Sequence, residues 1–213
     1  MEFYDVIKAR KTIREFSGKK IDKKVIEKIL SAGLMAPTND HLRNWEFVVI
    51  MEKEIIEKII KPIPKTFSEK RVDFILNSWR LSDSCQIEMY KNAIPKQYSM
   101  LIQSECLILP FFKQKAPLLE PKNLSSLNGF ASMWCCIENI LLAVTAENLG
   151  CALRIPFENE TKNIYEILKS PKEYYMPCYL AIGYPLGRAK KPKQIKQSIK
   201  DKMHYNEWEK IQK

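Results

Sequence analysis

The chain carries one short basic stretch near its start, Arg10-Lys11-Thr12-Ile13-Arg14-Glu15-Phe16. Three cations and a hydroxyl occupy its first five positions. Arginine offers a planar fork that grips a phosphate through two hydrogen bonds, while lysine supplies a compact charge and threonine a neutral donor. The stretch therefore indicates a clamp for an anion. The alternative is an ordinary solvated basic surface, since short basic runs are common.

Composition around this stretch favours one soluble domain. The chain has 213 residues, of which 46% are hydrophobic and 28% are charged. This balance is typical of a globular domain with a substantial core. The start of the sequence is acidic and mixed, unlike a signal peptide, and no uninterrupted apolar run reaches the length of a membrane span. We therefore expect a cytoplasmic protein that has no membrane partner.

The positive charge is concentrated at the end of the chain. The formal net charge is +10, and the segment 187–213 holds nine cations against three acids. Such an excess attracts nucleic acids, or equally anionic small molecules such as phosphorylated cofactors. No basic groove interleaved with aromatic residues accompanies it, so we do not expect nucleic acid as a partner.

Cysteine and histidine usage argues against disulfides and metal centres. Six cysteines lie mostly in apolar stretches and form no Cys-x-x-Cys pair: Cys85, Cys106, Cys135, Cys136, Cys151 and Cys178. Buried reduced thiols are favoured over disulfides or a metal site. The two histidines, His41 and His204, are far apart in sequence, so no zinc site is expected.

Hydrophobic periodicity predicts interleaved helices and strands. Asp22 caps a helix that ends at Pro37, and a long apolar helix over 124–148 stops at Gly150. Further helices are predicted over 2–9, 53–60 and 162–169, and strands over 46–51, 106–112, 151–155 and 178–184. Pro110 favours an edge position or a bulge for the second strand. The segment 62–100 is either an active-site cover or packing, and the whole is a single α+β or α/β domain.

Several familiar catalytic motifs do not occur in the sequence. It contains no Gly-x-Gly-x-x-Gly, no Walker A loop and no Gly-x-Ser-x-Gly elbow. A dedicated dinucleotide-binding fold and the usual hydrolase machinery are therefore not expected. If the chain is an enzyme, a bound cofactor carries the reactivity and the protein supplies binding and orientation.

Five separated segments, in order, resemble the nitroreductase family of FMN-dependent oxidoreductases. The basic stretch is similar to the Arg-Arg-Ser-x-Arg-x-Phe opening of that family. The others are Ala36-Pro37-Thr38-Asn39 with Asn44-Trp45-Glu46-Phe47, Glu147-Asn148-Leu149-Gly150-Cys151, the closing strand over 177–185, and His204-Tyr205-Asn206-Glu207-Trp208. The resemblance spans nearly the whole chain and is weakest over 62–100.

The resemblance implies a fold and an activity. The fold is α+β, with a central, mostly antiparallel sheet between helical layers, in an intertwined homodimer. Residues 1–213 form one FMN-binding domain, and the basic tail 187–213 packs on the partner subunit. The implied activity transfers a hydride from NAD(P)H through flavin N5 to nitroaromatic, quinone or flavin-type acceptors. We name no catalytic side chain, since solvent can supply the protons. The alternative is a non-catalytic carrier or sensor of FMN or a related flavin.

The resemblance also implies site residues. Arg10, Lys11, Thr12 and Arg14 would bind the FMN phosphate and ribityl chain, with help from the tail cations Arg188, Lys190 or Lys191. Pro37, Thr38 and Asn39 would line the flavin ring, from the partner subunit, near His41, which stands where the family usually has asparagine.

The segment Arg154, Ile155 and Pro156 would face the reactive edge of the flavin. Here the sequence departs from the family, because Arg154-Ile155-Pro156-Phe157 replaces a segment that contains glycine. Proline has no N–H, so a backbone donor to flavin N5 that falls at Pro156 would be lost. Arg154 either steadies negative charge on reduced flavin or attracts an anionic substrate, or it forms a surface ion pair.

Overall fold

The computed structural model describes residues 1–115, 117–189, 193, 195 and 197–208. Its α-helices are α1 (Phe3–Ala9), α2 (Lys23–Leu34), α3 (Lys53–Ile60), α4 (Glu69–Ser78), α5 (Ser84–Ala93), α6 (Ser99–Ile102), α7 (Asn128–Ala146) and α8 (Glu158–Leu168). Its strands are β1 (Trp45–Ile50), β2 (Cys106–Lys113), β3 (Gly150–Arg154), β4 (Tyr174–Tyr175) and β5 (Tyr179–Gly183).

The strands form one antiparallel sheet. Its order is β1-β2-β5-β3, and β4 pairs with the end of β2. Every neighbouring pair of these strands runs antiparallel. Parallel neighbours would have to be joined by crossover connections, usually helices, and this sheet has no parallel pair of strands. The α+β class is therefore confirmed, and the α/β alternative is wrong.

Helices cover both faces of the sheet. Along β2, Cys106 and Ile108 join one core cluster, while Leu107 and Leu109 join the other. This alternation follows from the two-residue period of a strand. The first cluster includes residues of α2 and α7, and the second includes residues of α3, α6 and α8. The predicted three-layer arrangement is therefore confirmed.

Two predicted helix ends met different outcomes. The Asp22 side chain accepts a hydrogen bond from the Lys24 N–H, so the predicted cap of α2 is confirmed. The predicted stop of α7 at Gly150 is wrong. Asn148 turns the chain with a φ of 57°, and the Leu149 N–H donates to the carbonyl of Val144. Asparagine tolerates this left-handed conformation, which leaves Gly150 free to begin β3.

Pro110 lies within an interior strand. It faces Phe47 of β1, so the predicted edge position is wrong. On its other side the pairing is interrupted, because Ile108 pairs with Leu180 of β5 and the next pairing is that of Phe112 with Tyr175 of β4. A residue without an N–H is tolerated where the ladder is broken in this way, as the bulge alternative requires.

The segment between β1 and β2 forms a helical insert, defined here as residues 62–102. Its helices α4 and α5 enclose a third, small cluster centred on Val72, Leu76 and Ile94. This cluster is separate from the two that flank the sheet. The insert therefore has a core of its own.

One helical stretch in the described residues, Leu124–Ala146, is long and apolar enough to cross a membrane by length and composition alone. In this fold its α7 part packs on α2 and β2 and buries Met133, Ile137 and Ile140. Gly33 of α2 permits the close approach, because a Cβ there would lie 2.7 Å from Cγ1 of Ile140. The stretch behaves as a core helix.

Candidate cofactor site

The basic stretch lies as an extended segment along the edge of the sheet. The Ile13 N–H donates to the carbonyl of Cys151 at 3.0 Å, and Thr12 forms a parallel bridge with Cys151 of β3. Further on, the Ser17 N–H donates to the carbonyl of Tyr184, just after β5, at 2.9 Å. The stretch is thus fixed by backbone bonds to two strands.

Two glycines explain how the stretch lies so close to the sheet. A Cβ at Gly150 would lie 2.6 Å from Cβ of Ile13, and one at Gly183 would lie 2.7 Å from Cδ1 of Phe16. Real Cβ atoms do not approach so closely, so larger residues would push the stretch away. Ile13 and Phe16 are buried on these glycines, while Arg14 between them stays half-buried.

Three of the four clamp residues line a small cavity of about 30 Å³, and Arg14 is not among its lining residues. Arg10, Lys11 and Thr12 form its polar wall. Its other walls are Leu141 and Thr145 of α7 and Cys151 and Leu153 of β3. A cavity of this size holds roughly two water-sized atoms, so it suits phosphate oxygens rather than an aromatic ring. A ring attached to that phosphate would lie outside it.

The electrostatics of the clamp fit an anion. Within the described part of the chain, Arg14 has no carboxylate partner, and its Nη2 lies 4.0 Å from Sδ of Met89. Burial lowers the pKa of Arg14 below its ordinary value. The nearest carboxylate oxygen to Arg10 Nε, Oε1 of Glu138, is 3.9 Å away. A half-buried cation without a counter-charge is costly, and a bound phosphate would remove that cost.

The predicted ring-lining turn is anchored on the start of α7. The Asn39 N–H donates to Oγ of Ser132 at 2.9 Å, and Nδ2 of Asn128 donates to Oδ1 of Asn39 at 3.1 Å. Oγ1 of Thr38 is buried and has no hydrogen-bond partner. A buried hydroxyl without a partner costs free energy, which a ligand atom would recover.

The chain beyond this turn is conformationally unusual. Asp40, His41 and Arg43 have φ values of 50°, 52° and 49°, in the left-handed region that non-glycine residues seldom adopt. Pro37 and His41 are exposed, and they line neither the clamp cavity nor a second cavity that is lined by Thr38, Asn39 and Ser132. Their contact with the cofactor stays a prediction.

Within one chain, the turn and the clamp lie near opposite ends of α7. Thr38, Asn39 and Ser132 line a cavity that shares no residue with the clamp cavity, where α7 contributes Leu141 and Thr145. At 1.5 Å per residue, these α7 positions are about 14–20 Å apart along the helix. The structure therefore does not bring the two predicted groups together at a single cavity.

Arg154 belongs to a buried network. Its Nη2 pairs with Oε1 of Glu160 on α8, and its Nη1 donates to Oε1 of Gln97 in the insert at 2.7 Å. The Tyr179 hydroxyl donates to Oε2 of Glu160 at 3.3 Å. The ion-pair alternative for Arg154 is therefore confirmed, but with Arg154 8% exposed and Glu160 1% exposed the pair is buried and not at the surface. Burial, with the Glu160 carboxylate nearby, raises the pKa of Tyr179 above its ordinary value.

Strand periodicity places Arg154 on the face of the sheet opposite the clamp cavity. Cys151 and Leu153 line that cavity, whereas Ala152 joins the cluster on the other face. Arg154 pairs with Tyr179, which belongs to that second cluster. A direct contact of Arg154 with the cofactor stays a prediction, and this placement gives it no support. Ile155, at 55% exposed, and half-buried Pro156 follow at the end of β3.

The tail cations are partly described. The Leu186 N–H donates to the carbonyl of Glu15 at 3.0 Å, which brings the chain before Arg188 beside the clamp. Arg188 itself is exposed. Lys190 and Lys191 lie outside the described residues.

Sequence reasoning missed residues around Arg154, around Arg14 and around the turn at Asn39. Glu160 in a helix and Gln97 in a turn gave no local signal, because an isolated polar residue in either setting is normally solvated. Ser132 was detectable, since it and Asn128 form a polar pair one turn apart at the start of an apolar helix. Met89 gave no signal either, because methionine is an ordinary packing residue.

The cysteines do not contribute chemistry to this site. All six are free, and Cys106, Cys136, Cys151 and Cys178 are buried. Burial raises the pKa of the Cys106 and Cys136 thiols to about 12, so they remain protonated near neutrality. Among the described residues, no group of three or more metal-ligating side chains is present.

Comparisons with known proteins agree with this architecture. The sequence model of the nitroreductase family matches residues 7–184. A Methanothermobacter thermautotrophicus protein with the provisional name NADH dehydrogenase/NAD(P)H nitroreductase is 23% identical over 212 residues, which is 98% of this chain and 88% of that protein. The iodotyrosine deiodinase of Nematostella vectensis is 22% identical over 206 residues, covering 95% and 74% of the two chains.

Solved structures show the same fold. An iodotyrosine deiodinase bound to FMN and 3-iodo-L-tyrosine superimposes with a TM-score of 0.72 at 19% identity, covering 97% of this chain and all of that chain. An FMN-dependent nitroreductase from Clostridium difficile R20291 gives a TM-score of 0.65 at 22% identity, covering 95% and 98% of the two chains.

Proposed function

Because the chain belongs to the nitroreductase family, we propose that it is an FMN-dependent oxidoreductase that uses NAD(P)H. Its acceptors are nitroaromatic compounds, quinones or flavins. The observation that carries the proposal is the clamp: three cations on one backbone-anchored stretch, one of them half-buried without a counter-charge.

The residues present fit the proposed cofactor. Arg10, Lys11 and Thr12 surround a cavity of phosphate-oxygen size, and Arg14 lies beside it in sequence. The backbone bond from Leu186 to Glu15 brings Arg188 within reach as a further cation. When bound, FMN supplies the redox chemistry, since it accepts a hydride from a reduced nicotinamide and passes the electrons to an acceptor. The protein binds the phosphate, orients the ring and excludes water.

We propose a homodimer, because one chain does not complete the site. Thr38, with its partnerless buried hydroxyl, lies about 14–20 Å along α7 from the clamp. In a dimer, the turn of one subunit can line a ring held by the clamp of the other. Trp134, Leu141 and Leu142 of α7 are only half-buried in one chain, so part of their apolar surface is available to a partner.

The described part of the tail offers a second contact surface. Ile199 is 69% exposed and Trp208 is 87% exposed, with the indole stacked on the ring of His204. Contact with a partner subunit would bury this apolar surface, which is favourable. We propose that the segment 187–213 packs on the partner subunit. The free cysteines fit a reducing, cytoplasmic setting.

One cleft would serve donor and acceptor in turn. The sequence has no dinucleotide fingerprint, so the nicotinamide has no separate binding fold. A second candidate, a non-catalytic flavin carrier or sensor, is favoured if Pro156 faces the reactive edge of the ring, because proline has no N–H to offer there.

Purification tests the proposal. We expect a yellow dimer whose flavin absorbance is bleached by NADH or NADPH without oxygen and restored by a quinone. A colourless protein that does not take up added FMN would refute both candidates. If the protein binds flavin but neither NADH nor NADPH bleaches it, the oxidoreductase is refuted and the carrier or sensor remains.

A further inference from the structure

The outer part of the insert has a small hydrophobic core that is separate from the two cores flanking the sheet. Helices α4 and α5 pack on each other, and α5 also packs on the turn Ile94–Lys96, around the cluster of Val72, Leu76 and Ile94. Outside the insert, Sγ of Cys85 on α5 lies 3.6 Å from the carbonyl oxygen of Lys193. Trp79 and Tyr90 close that cluster with an edge-to-face contact at 5.0 Å between ring centroids. A unit with its own core and few contacts elsewhere opens at a lower free energy than the main core.

The root of the insert, by contrast, is fixed to both parts of the site. Lys96 Nζ lies 2.9 Å from Oε2 of Glu15, which follows Arg14 in the clamp. Its neighbour Gln97 accepts from Arg154 at 2.7 Å. Met100 and Leu101 are fully buried in the second core cluster. The insert is therefore held at 96–102, with α5 reaching outward from that root.

Helix α5 contacts the clamp at Arg14, through Met89, and contributes no residue to the lining of the cavity formed by Arg10, Lys11 and Thr12. The Met89 thioether lies 4.0 Å from Arg14 Nη2, and Tyr90 is close enough to influence its charge. Neither group neutralises a guanidinium at neutral pH. Docking of α5 therefore removes water from Arg14 without a counter-charge in return, a cost that appears as the lowered pKa of Arg14.

We propose that α5 is a cover for the phosphate clamp, and that its closure and anion binding favour each other. A phosphate beside Arg14 supplies the missing counter-charge, so α5 docks at lower cost when the anion is bound. Linkage makes the effect reciprocal: the docked cover strengthens phosphate binding by the same factor. The inference rests on the proposed function only in naming FMN as the natural source of the phosphate.

Hydrogen exchange on the full-length chain, freed of flavin, tests the coupling directly. We expect FMN and inorganic phosphate each to slow exchange over 84–93 by about 5- to 150-fold, the usual range of such couplings. Riboflavin, which has the ring without the phosphate, and chloride at equal ionic strength should not. Equal exchange with and without saturating phosphate would overturn the proposal.

Two variants locate the coupling at Arg14. Arg14→Met removes the desolvated charge, so exchange over 84–93 should be slow with or without phosphate. Met89→Glu places a carboxylate beside Arg14, so the cover should close without ligand and phosphate affinity should fall. Arg80→Met makes the same charge change at an exposed position and should keep the wild-type response. If Arg14→Met does not fold, Met89→Glu tests the proposal alone. If phosphate slows exchange over 84–93 in Met89→Glu as much as it does in the wild type, the proposal is refuted.

The outcomes separate this inference from the proposed function. If FMN binds tightly and is bleached by NAD(P)H while exchange over 84–93 does not change, only the cover is refuted. If FMN does not bind but inorganic phosphate still protects α5, the cover stands and the proposed function fails.

Discussion

The clamp and the end of β3 each place an arginine in a protein interior, and they treat its charge in opposite ways. Arg154 is 8% exposed and paired with a carboxylate that is 1% exposed. Arg14 is half-buried and meets a thioether. In the described part of the chain Nε of Arg154 has no hydrogen-bond partner, but the Glu160 carboxylate compensates the charge of Arg154. A buried cation that is compensated in this way is structural, whereas a cation without a counter-charge points to a ligand. The difference indicates a structural role for Arg154 and a ligand-binding role for Arg14.

The largest effect on stability should come from breaking the buried Arg154–Glu160 pair. Arg154→Ala leaves Glu160 buried without a counter-charge, and we expect the free energy of unfolding to fall by about 3–5 kcal/mol. Urea denaturation monitored by circular dichroism measures it. Lys162→Ala breaks the exposed Lys162–Glu158 pair and serves as the matched control, with no measurable loss expected. A small loss in Arg154→Ala would mean that the network is solvated.

For Arg14 in the clamp, we expect a substitution to weaken FMN binding without lowering the stability of the protein. Arg14→Met removes one charge-assisted contact to phosphate, worth about 1.5–3 kcal/mol, so FMN should bind about 10- to 150-fold more weakly. The flavin-free protein should be no less stable, because the variant removes an uncompensated cation. Flavin fluorescence titration and urea denaturation measure the two quantities. Unchanged FMN affinity, or a large loss of stability, would contradict the contrast with Arg154.

The glycine behind the clamp joins the two regions, because Gly150 begins the strand that Arg154 ends. In Gly150→Ala the new Cβ meets Ile13 at 2.6 Å, and overpacking of this kind costs about 1–3 kcal/mol. We expect that loss of stability together with weaker FMN binding, since the basic stretch is displaced. Gly187→Ala is the control, because nothing lies within 4 Å of its Cβ. A stable variant with normal affinity would show that the stretch tolerates the shift.

The smallest effect concerns the partnerless hydroxyl of Thr38. Thr38→Val keeps the shape and removes an unsatisfied polar atom, so the flavin-free subunit should keep or slightly gain stability. If the hydroxyl meets the ring in the dimer, FMN affinity should fall by roughly fivefold, corresponding to one neutral hydrogen bond of about 1 kcal/mol. Calorimetric titration with FMN measures it. Equal affinity would remove Thr38 from the site.

Much of the fold was readable from local pattern. The amphipathic helix over 53–60 and the Asp22 cap were predicted as they occur, because both depend on side chains a few positions apart. Gly150 was identified as important for the wrong reason. Its predicted role was to end a helix, whereas it is needed because Ile13, far away in sequence, lies on it.

In the candidate site, too, the features that depend on residues close along the chain could be predicted and those that depend on distant residues could not. The cluster Arg10 to Arg14 is contiguous, so its charge and hydrogen-bonding capacity could be predicted without a fold. The two roles weighed for Arg154 depended on neighbours that no local pattern specifies. The insert was left open between cover and packing because its small separate core gives only a weak periodic signal.

By itself, the sequence predicted most of the helices and strands, a candidate anion clamp and the family resemblance, because periodicity, capping and short motifs act between residues close along the chain. Only the tertiary structure decided which charges are compensated. Arg154 meets Gln97 across 57 positions, and Arg14 meets Met89 across 75. Burial and counter-charge arise from such long-range packing, and they separate an arginine that is paired with a carboxylate from one that has no carboxylate partner among the described residues.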